Sequence, residues 1–154
     1  TTIVSLHQID FARKYADRLI GLNSGSIIFD GKNGSGKTFI GAVLIQSAIK
    51  KCLSAKYYDW TEIISILSDF DKKDEFDKMN DEFKNLDFIV IDGIEQYKHT
   101  HPQFPQNLDR LSKSRVNSGK PFILLTYGTS NISSGSGWGS LLRNCITIRL
   151  PYAR

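Results

Sequence analysis

Ser26-Ile27-Ile28-Phe29-Asp30-Gly31-Lys32-Asn33-Gly34-Ser35-Gly36-Lys37-Thr38 is the stretch on which the fold turns. A short apolar run feeds the spacing G-x-x-x-x-G-K-T, and Phe39, Ile40, Val43, Leu44, Ala48 and Ile49 then recur at helical spacing. A strand before and a helix after are the context in which this spacing signifies a phosphate-binding loop. Consecutive backbone N–H groups of such a loop point inward and cradle phosphate oxygens. Gly31, Gly34 and Gly36 are expected to take backbone angles that a Cβ forbids and to let phosphates come close. Lys37 is placed to reach the β- and γ-phosphates, and the Thr38 hydroxyl to hold Mg²⁺. Lys32, Asn33, Ser35 and Phe39 complete the candidate nucleotide-binding set. The positive N-terminal end of the following helix adds to it. The ligands implied are ATP and Mg²⁺.

Working outward, the 154 residues are read as one domain, 1–154, long enough to bury a core without staples. Hydrophobic residues make up 40% and charged residues 23%, which excludes a disordered or collagen-like chain. No apolar run approaches the ~20 residues of a membrane span, and no basic-then-apolar leader is visible, so the expectation is a cytoplasmic protein with no membrane partner. The net charge of +4 permits nucleic-acid contact without demanding it. Cys52 and Cys145 lie far apart in apolar settings and are read as reduced core thiols. Acidic residues from Asp69 to Asp87 alternate with Lys72, Lys73, Lys78 and Lys84, the pattern of a solvated helix pair.

The rest of the chain alternates strand and helix. Residues 9–20 carry a helical apolar pattern ended by Gly21, Asn23 and Gly25. Ala55 to Asp59 is a short aromatic strand, and Thr61 is placed to cap a helix running to Leu67. Leu86 to Asp92 has the unbroken apolar centre of a strand buried on both faces. Gln106 to Val116 is helical with Leu108, Leu111 and Val116 inward, Phe122 to Thr126 a fourth strand, residues 128–139 a Gly/Ser loop, Leu141 and Leu142 a short helix, and Cys145 to Leu150 a fifth strand. The fold class expected is α/β: a P-loop NTPase with a five-stranded, mostly parallel sheet flanked by helices and no separate lid domain. One complete strand, Ala55 to Asp59, intervenes between the loop strand and the Asp92 strand. That favours the branch of phosphate-loop proteins with an added strand, the ASCE type that includes AAA+ and RecA-like ATPases.

Asp92 closes a buried strand after four apolar residues, as a Walker B carboxylate held near the Thr38-bound Mg²⁺ must. Hydrolysis also needs a group that orients or deprotonates water. The position after Asp92 is Gly93, so the nearest acid is Glu95, which reads equally as a solvated loop residue. Thr126 is a candidate for the γ-phosphate or the attacking water, or a threonine satisfied by backbone. Arg143 is a candidate for stabilising transition-state charge on a neighbouring subunit's ATP, or an ordinary surface arginine. Arg149 alternates toward solvent. His99 and His101 have no third ligand nearby and are not read as a metal site. Trp60 reads as core, and Trp138 as the better candidate for stacking on a base.

With those landmarks the chain resembles the AAA+ ATPase domain of the DnaC/IstB family of bacterial and phage helicase loaders and transposition ATPases. The phosphate loop carries the resemblance, with Tyr57-Tyr58-Asp59-Trp60-Thr61-Glu62-Ile63-Ile64, Phe88-Ile89-Val90-Ile91-Asp92, Leu111 to Pro121 and the ending Ile146 to Arg154. It implies ATP-dependent assembly around a replicative helicase, single-stranded DNA contact and homo-oligomers with ATP between subunits. The chain departs from the family at Gly93, which replaces the second Walker B acid, and near Thr126 and Gly128, where the family often has an asparagine; the family's N-terminal helicase-binding domain is not in this sequence. Slow hydrolysis is therefore expected. A small-molecule or nucleoside kinase is the alternative, although residues 128–139 lack the arginines of a kinase lid. An ATP-binding interaction module without turnover is the third reading.

Overall fold

A computed structural model describes residues 26–31, 34–94, 104–126 and 145–150. Five strands alternate with helices in chain order: β1 Ser26–Asp30, α1 Lys37–Lys50, β2 Ala55–Asp59, α2 Trp60–Leu67, α3 Lys73–Asn85, β3 Phe88–Ile94, α4 Phe104–Asn117, β4 Phe122–Thr126 and β5 Cys145–Arg149. A 3₁₀ turn, Phe70–Lys72, joins α2 to α3. The sheet order is β2-β3-β4-β1-β5, and all four neighbouring pairs are parallel. The expected helix over 9–20, the Gly/Ser loop and the short helix at Leu141 and Leu142 fall outside the described residues.

Strand alternation sorts the core into two layers. Ile27, Phe29, Val90, Ile123 and Leu125 face α1, where Ile40, Leu44 and Ile45 pack on them. Ile28, Ile89, Ile91, Phe122 and Leu124 face the opposite way, onto a cluster with Ile63, Leu67, Phe76, Met79, Phe83, Leu108 and Leu111. A slip of one residue in any strand would exchange these sets, so both faces hold the register. All five residues of β4 are buried. That explains its continuous apolar sequence, since a central parallel strand has no face for water.

In space β4, not β2, separates β1 from β3. The chain crosses from β1 to the sheet edge, lays down β2 and β3, and returns through α4 to fill the gap. Along the chain β2 intervenes between β1 and β3, as read from the sequence, and in the sheet it forms the edge.

Four local expectations need correction. Asp59, not Thr61, caps α2: its side chain accepts a hydrogen bond from the Thr61 N–H at 2.7 Å, and Trp60 opens the helix. The inward stripe of α1 runs through Gly41, Leu44, Ile45 and Ala48, whereas Phe39 (73% exposed), Val43 and Ile49 point outward. An apolar count misses this stripe because its deepest contact is a glycine. Val116 is exposed rather than inward; Leu108 and Leu111 are buried as expected. Cys52 is exposed, not a core thiol. It takes φ +59° just beyond α1, where the Leu53 N–H turns back to the Ala48 carbonyl at 3.1 Å, a left-handed helix stop.

Candidate nucleotide-binding site

The loop after β1 is pinned at its base from both sides. The Gly31 N–H donates to the Thr126 carbonyl (3.2 Å), and the Leu150 N–H donates to the Asp30 carbonyl (2.7 Å). Strand ends β4 and β5 thus fix where the loop leaves the sheet. Gly34 and Gly36 sit at φ +80° and +84°, the left-handed region that a Cβ disfavours. Gly36 is the N-cap of α1 and has no side chain to cap the first turn. The N-terminal end of a helix, with its amides and positive dipole end, favours an anion. Gly31 is needed for a different reason from the one expected: it is not in the left-handed region. A Cβ there would come within 2.6 Å of Ser35 Oγ and 3.1 Å of Leu150 Cβ.

Two observations test whether this loop fits a triphosphate. Among the described residues, Ser35 Oγ is buried without a hydrogen-bond partner, and nothing beyond the chain neighbours stands within 4 Å of where a Cβ on Gly34 or Gly36 would lie. A buried hydroxyl that lacks a partner costs free energy unless a ligand satisfies it. An open floor of amides with one such hydroxyl suits phosphate oxygens. Lys37 Nζ lies 2.5 Å from the Gly31 carbonyl, which folds its ammonium back over the loop.

Asp92 is brought to the same place from β3. It shares the sheet face of Val90, toward α1, and is 9% exposed. Thr38 Oγ1 donates to Asp92 Oδ2 at 2.6 Å, although the two residues lie 54 positions apart. The Tyr57 hydroxyl donates to that same oxygen, and the Gly93 N–H donates to Oδ1 at 2.7 Å. Gly93 takes φ +80°, where β3 and β4 shift register between Ile91 and Ile94. This bulge turns the chain away directly after Asp92. Burial, then the hydrogen bond and charge of Asp92, push the Tyr57 phenol far above its ordinary value, so it remains a donor at any physiological pH.

Because Thr38 spends its proton on Asp92, its oxygen lone pairs point elsewhere, as a metal ligand's must. No cluster of three or more His, Cys, Asp and Glu exists among the described residues. Two protein oxygens are too few for a dedicated Ca²⁺ or Zn²⁺ site. They are what Mg²⁺ uses when a substrate phosphate and waters supply the rest.

Gly31, Gly34, Ser35, Gly36, Lys37, Thr38 and Asp92, the residues singled out in the sequence, lie together at this end of the sheet. Thr126 takes the second of its two readings, a threonine satisfied by backbone. It is buried at 1% exposure, its hydroxyl donates to the Ile94 carbonyl at 2.6 Å, and it belongs to the face of Leu124, opposite Asp92. This bond locks β4 to the bulged end of β3. Phe39 points to solvent beside the loop. Trp60 is core, as read. Lys32, Asn33, Glu95, Arg143, His99, His101 and Trp138, and the side chain of Arg149, lie outside what is described. Tyr57 went unread as a site residue; its only local signal is an aromatic with a polar tip near the end of a strand that precedes the Asp92 strand.

No family model matches the chain. Over 31 residues it is 61% identical to the phosphonates import ATP-binding protein PhnC 2 of Halalkalibacterium halodurans, covering 20% of this chain and 13% of that protein. The PhnC protein of Bacillus cereus is 68% identical over the same number of residues, 20% of this chain and 12% of that one. The chain thus spans about an eighth of the length of these curated relatives. Among solved structures it is similar to the replication initiator DnaA bound to AMPPCP and single-stranded DNA, with a TM-score of 0.71 at 16% identity over 94% of this chain and 44% of that one. It is also similar to the DnaC helicase loader (TM-score 0.64, 16% identity, 93% of this chain and 88% of that one). A third is DnaI (TM-score 0.67, 14% identity, 96% of this chain and 88% of that one). These likenesses establish the fold as an α/β P-loop NTPase fold, shared with these three structures. No helix among the described residues is long and apolar enough to cross a membrane.

Proposed function

We propose that this chain is the ATP-binding domain of a cytoplasmic, helicase-loader-type ATPase that couples ATP binding and slow hydrolysis to assembly of a replicative helicase on DNA. The carrying observation is the 2.6 Å contact between Thr38 Oγ1 and Asp92 Oδ2. It joins the loop hydroxyl to the strand carboxylate, the pair a Mg²⁺–nucleotide requires. The likeness to DnaC and DnaI along most of all three chains supports the replication reading. The DnaA complex with AMPPCP and single-stranded DNA supports nucleotide and DNA as ligands.

In this reading the loop amides, Ser35 and Lys37 bind the phosphates, with Lys32, Asn33 and Phe39 beside them. Thr38 and Asp92 hold Mg²⁺, which when bound neutralises charge on the β- and γ-phosphates. Glu95 orients or deprotonates water, and Arg143 acts on ATP held by a neighbouring copy in an ATP-dependent homo-oligomer. Gly93 provides no side chain for the water, so turnover is slow. The missing side chain at Gly93 also favours a second reading, a nucleotide-binding module without turnover.

The test has two arms. Capture on the immobilised protein with a non-hydrolysable ATP analogue should retain a replicative helicase, and capture without nucleotide should not. Identical proteins in both arms would sink the loader reading. Phosphate release that falls in Glu95→Gln while ATP affinity holds separates the ATPase from the silent module. Release indistinguishable from a protein-free blank favours the module.

A further inference from the structure

We propose that Tyr57 is a positioning residue for the metal site: its phenol holds the Asp92 carboxylate in the orientation that Mg²⁺ needs. This rests on the nucleotide–Mg²⁺ reading of the loop and extends it to a residue outside the loop and outside β3.

The geometry has three parts. Tyr57 stands opposite Val90 across the β2–β3 ladder, two residues before the Asp59–Asp92 pair. Its hydroxyl reaches diagonally to Asp92 Oδ2, the oxygen that also takes the Thr38 proton. Its ring lies under α1, where a Cβ on Gly41 would come within 3.1 Å of Tyr57 Cε2. The helix that carries Thr38 in its first turn therefore also clamps the ring that holds the carboxylate. A carboxylate on a strand can rotate about its χ2; two donors on one oxygen and the Gly93 N–H on the other remove that freedom. Such outer partners of metal-binding groups are worth 10–100-fold in metal affinity. Tyr57 does not touch the nucleotide in this scheme and acts only through Asp92.

Tyr57→Phe keeps the ring and deletes the hydroxyl. Equilibrium binding of a fluorescent ATP analogue is measured against Mg²⁺ concentration, and separately in excess chelator, for the wild type and the variant. The half-saturating Mg²⁺ concentration is expected to rise about 10-fold. Affinity in chelator and the melting temperature without ligand should stay close to wild type. A purely structural role would instead lower the melting temperature and leave the Mg²⁺ dependence alone. Tyr57→Leu, which also loses ring packing, should show the same Mg²⁺ shift plus a stability loss. Unchanged Mg²⁺ dependence in a folded Tyr57→Phe overturns the inference and spares the nucleotide reading. If wild-type binding does not respond to Mg²⁺ at all, both fail.

Discussion

Gly41 of α1 lies directly against the ring of Tyr57. A Cβ there would approach Tyr57 Cε2 and Val90 Cγ1 to 3.1 Å and Leu125 Cδ1 to 2.7 Å. In an exposed helix interior, glycine to alanine gains up to about 1 kcal/mol. Here the sign reverses, because the methyl must enter a packed helix–sheet contact. Gly41→Ala is expected to destabilise by about 1–3 kcal/mol in urea unfolding. A stabilised variant would show that α1 can lift from the sheet at no cost.

Arg115 should behave as a structural arginine. Its guanidinium is buried and donates to the carbonyls of Phe83 (3.0 Å), Leu86 (2.6 Å), Asp87 (3.2 Å) and Pro121. It thereby gathers the end of α3, the start of β3 and the approach to β4. Burial lowers its pKa to about 10, so it stays charged near neutrality. Arg115→Met strands buried carbonyls and is expected to cost about 3 kcal/mol. Arg115→Lys keeps the charge and loses the fork, so it should recover only part of that. Urea midpoints check both; a neutral Arg115→Met would contradict the reading.

Acid should loosen the α3 side first. Asp87 accepts hydrogen bonds from Ser54 Oγ (2.7 Å), the Ser54 N–H (3.0 Å) and Lys120 Nζ (3.1 Å), and these bring its pKa from 3.8 to about 2. Burial raises Glu82, but the hydrogen bonds from Lys56 and Tyr58 outweigh it and leave the carboxyl below its ordinary range. Both folded values lie below the unfolded ones. Their stabilisation is complete above about pH 5 and is lost as pH falls; for Asp87 the loss runs from about 4 to 2. Urea midpoints measured from pH 7 to 2.5 should decline over that range, and Asp87→Asn should flatten the decline. An unaltered slope in the variant would remove Asp87 as its source.

The features legible in the sequence were those set by neighbours along the chain. The loop spacing from Gly31 to Thr38 is local, as are the apolar runs of β3 and β4 and the breaks at Asp59 and Gly119 that bound β2 and α4. What the sequence hid depends on pairing across the sheet. Nothing near Tyr57 marks it as reaching Asp92, because that contact exists only once β2 lies beside β3. Arg115 looks like one more charged residue on a helix until the carbonyls of α3 arrive around it. Thr126 sits at the strand end where a site residue was expected, but its hydroxyl is taken by the Ile94 carbonyl because β3 bulges at Gly93. The helix phase of α1 was misread because Gly41, its closest contact with the sheet, contributes nothing to an apolar pattern.

The central claim is that the loop from Gly31 to Thr38 grips a triphosphate, with Lys37 as its main cation. Calorimetric titration of ATP–Mg²⁺ into the wild type and Lys37→Ala tests this most directly. Saturable one-site binding is expected for the wild type, and no heat above dilution for Lys37→Ala at concentrations that saturate the wild type. Equal affinity in the two proteins would contradict the assignment of the site.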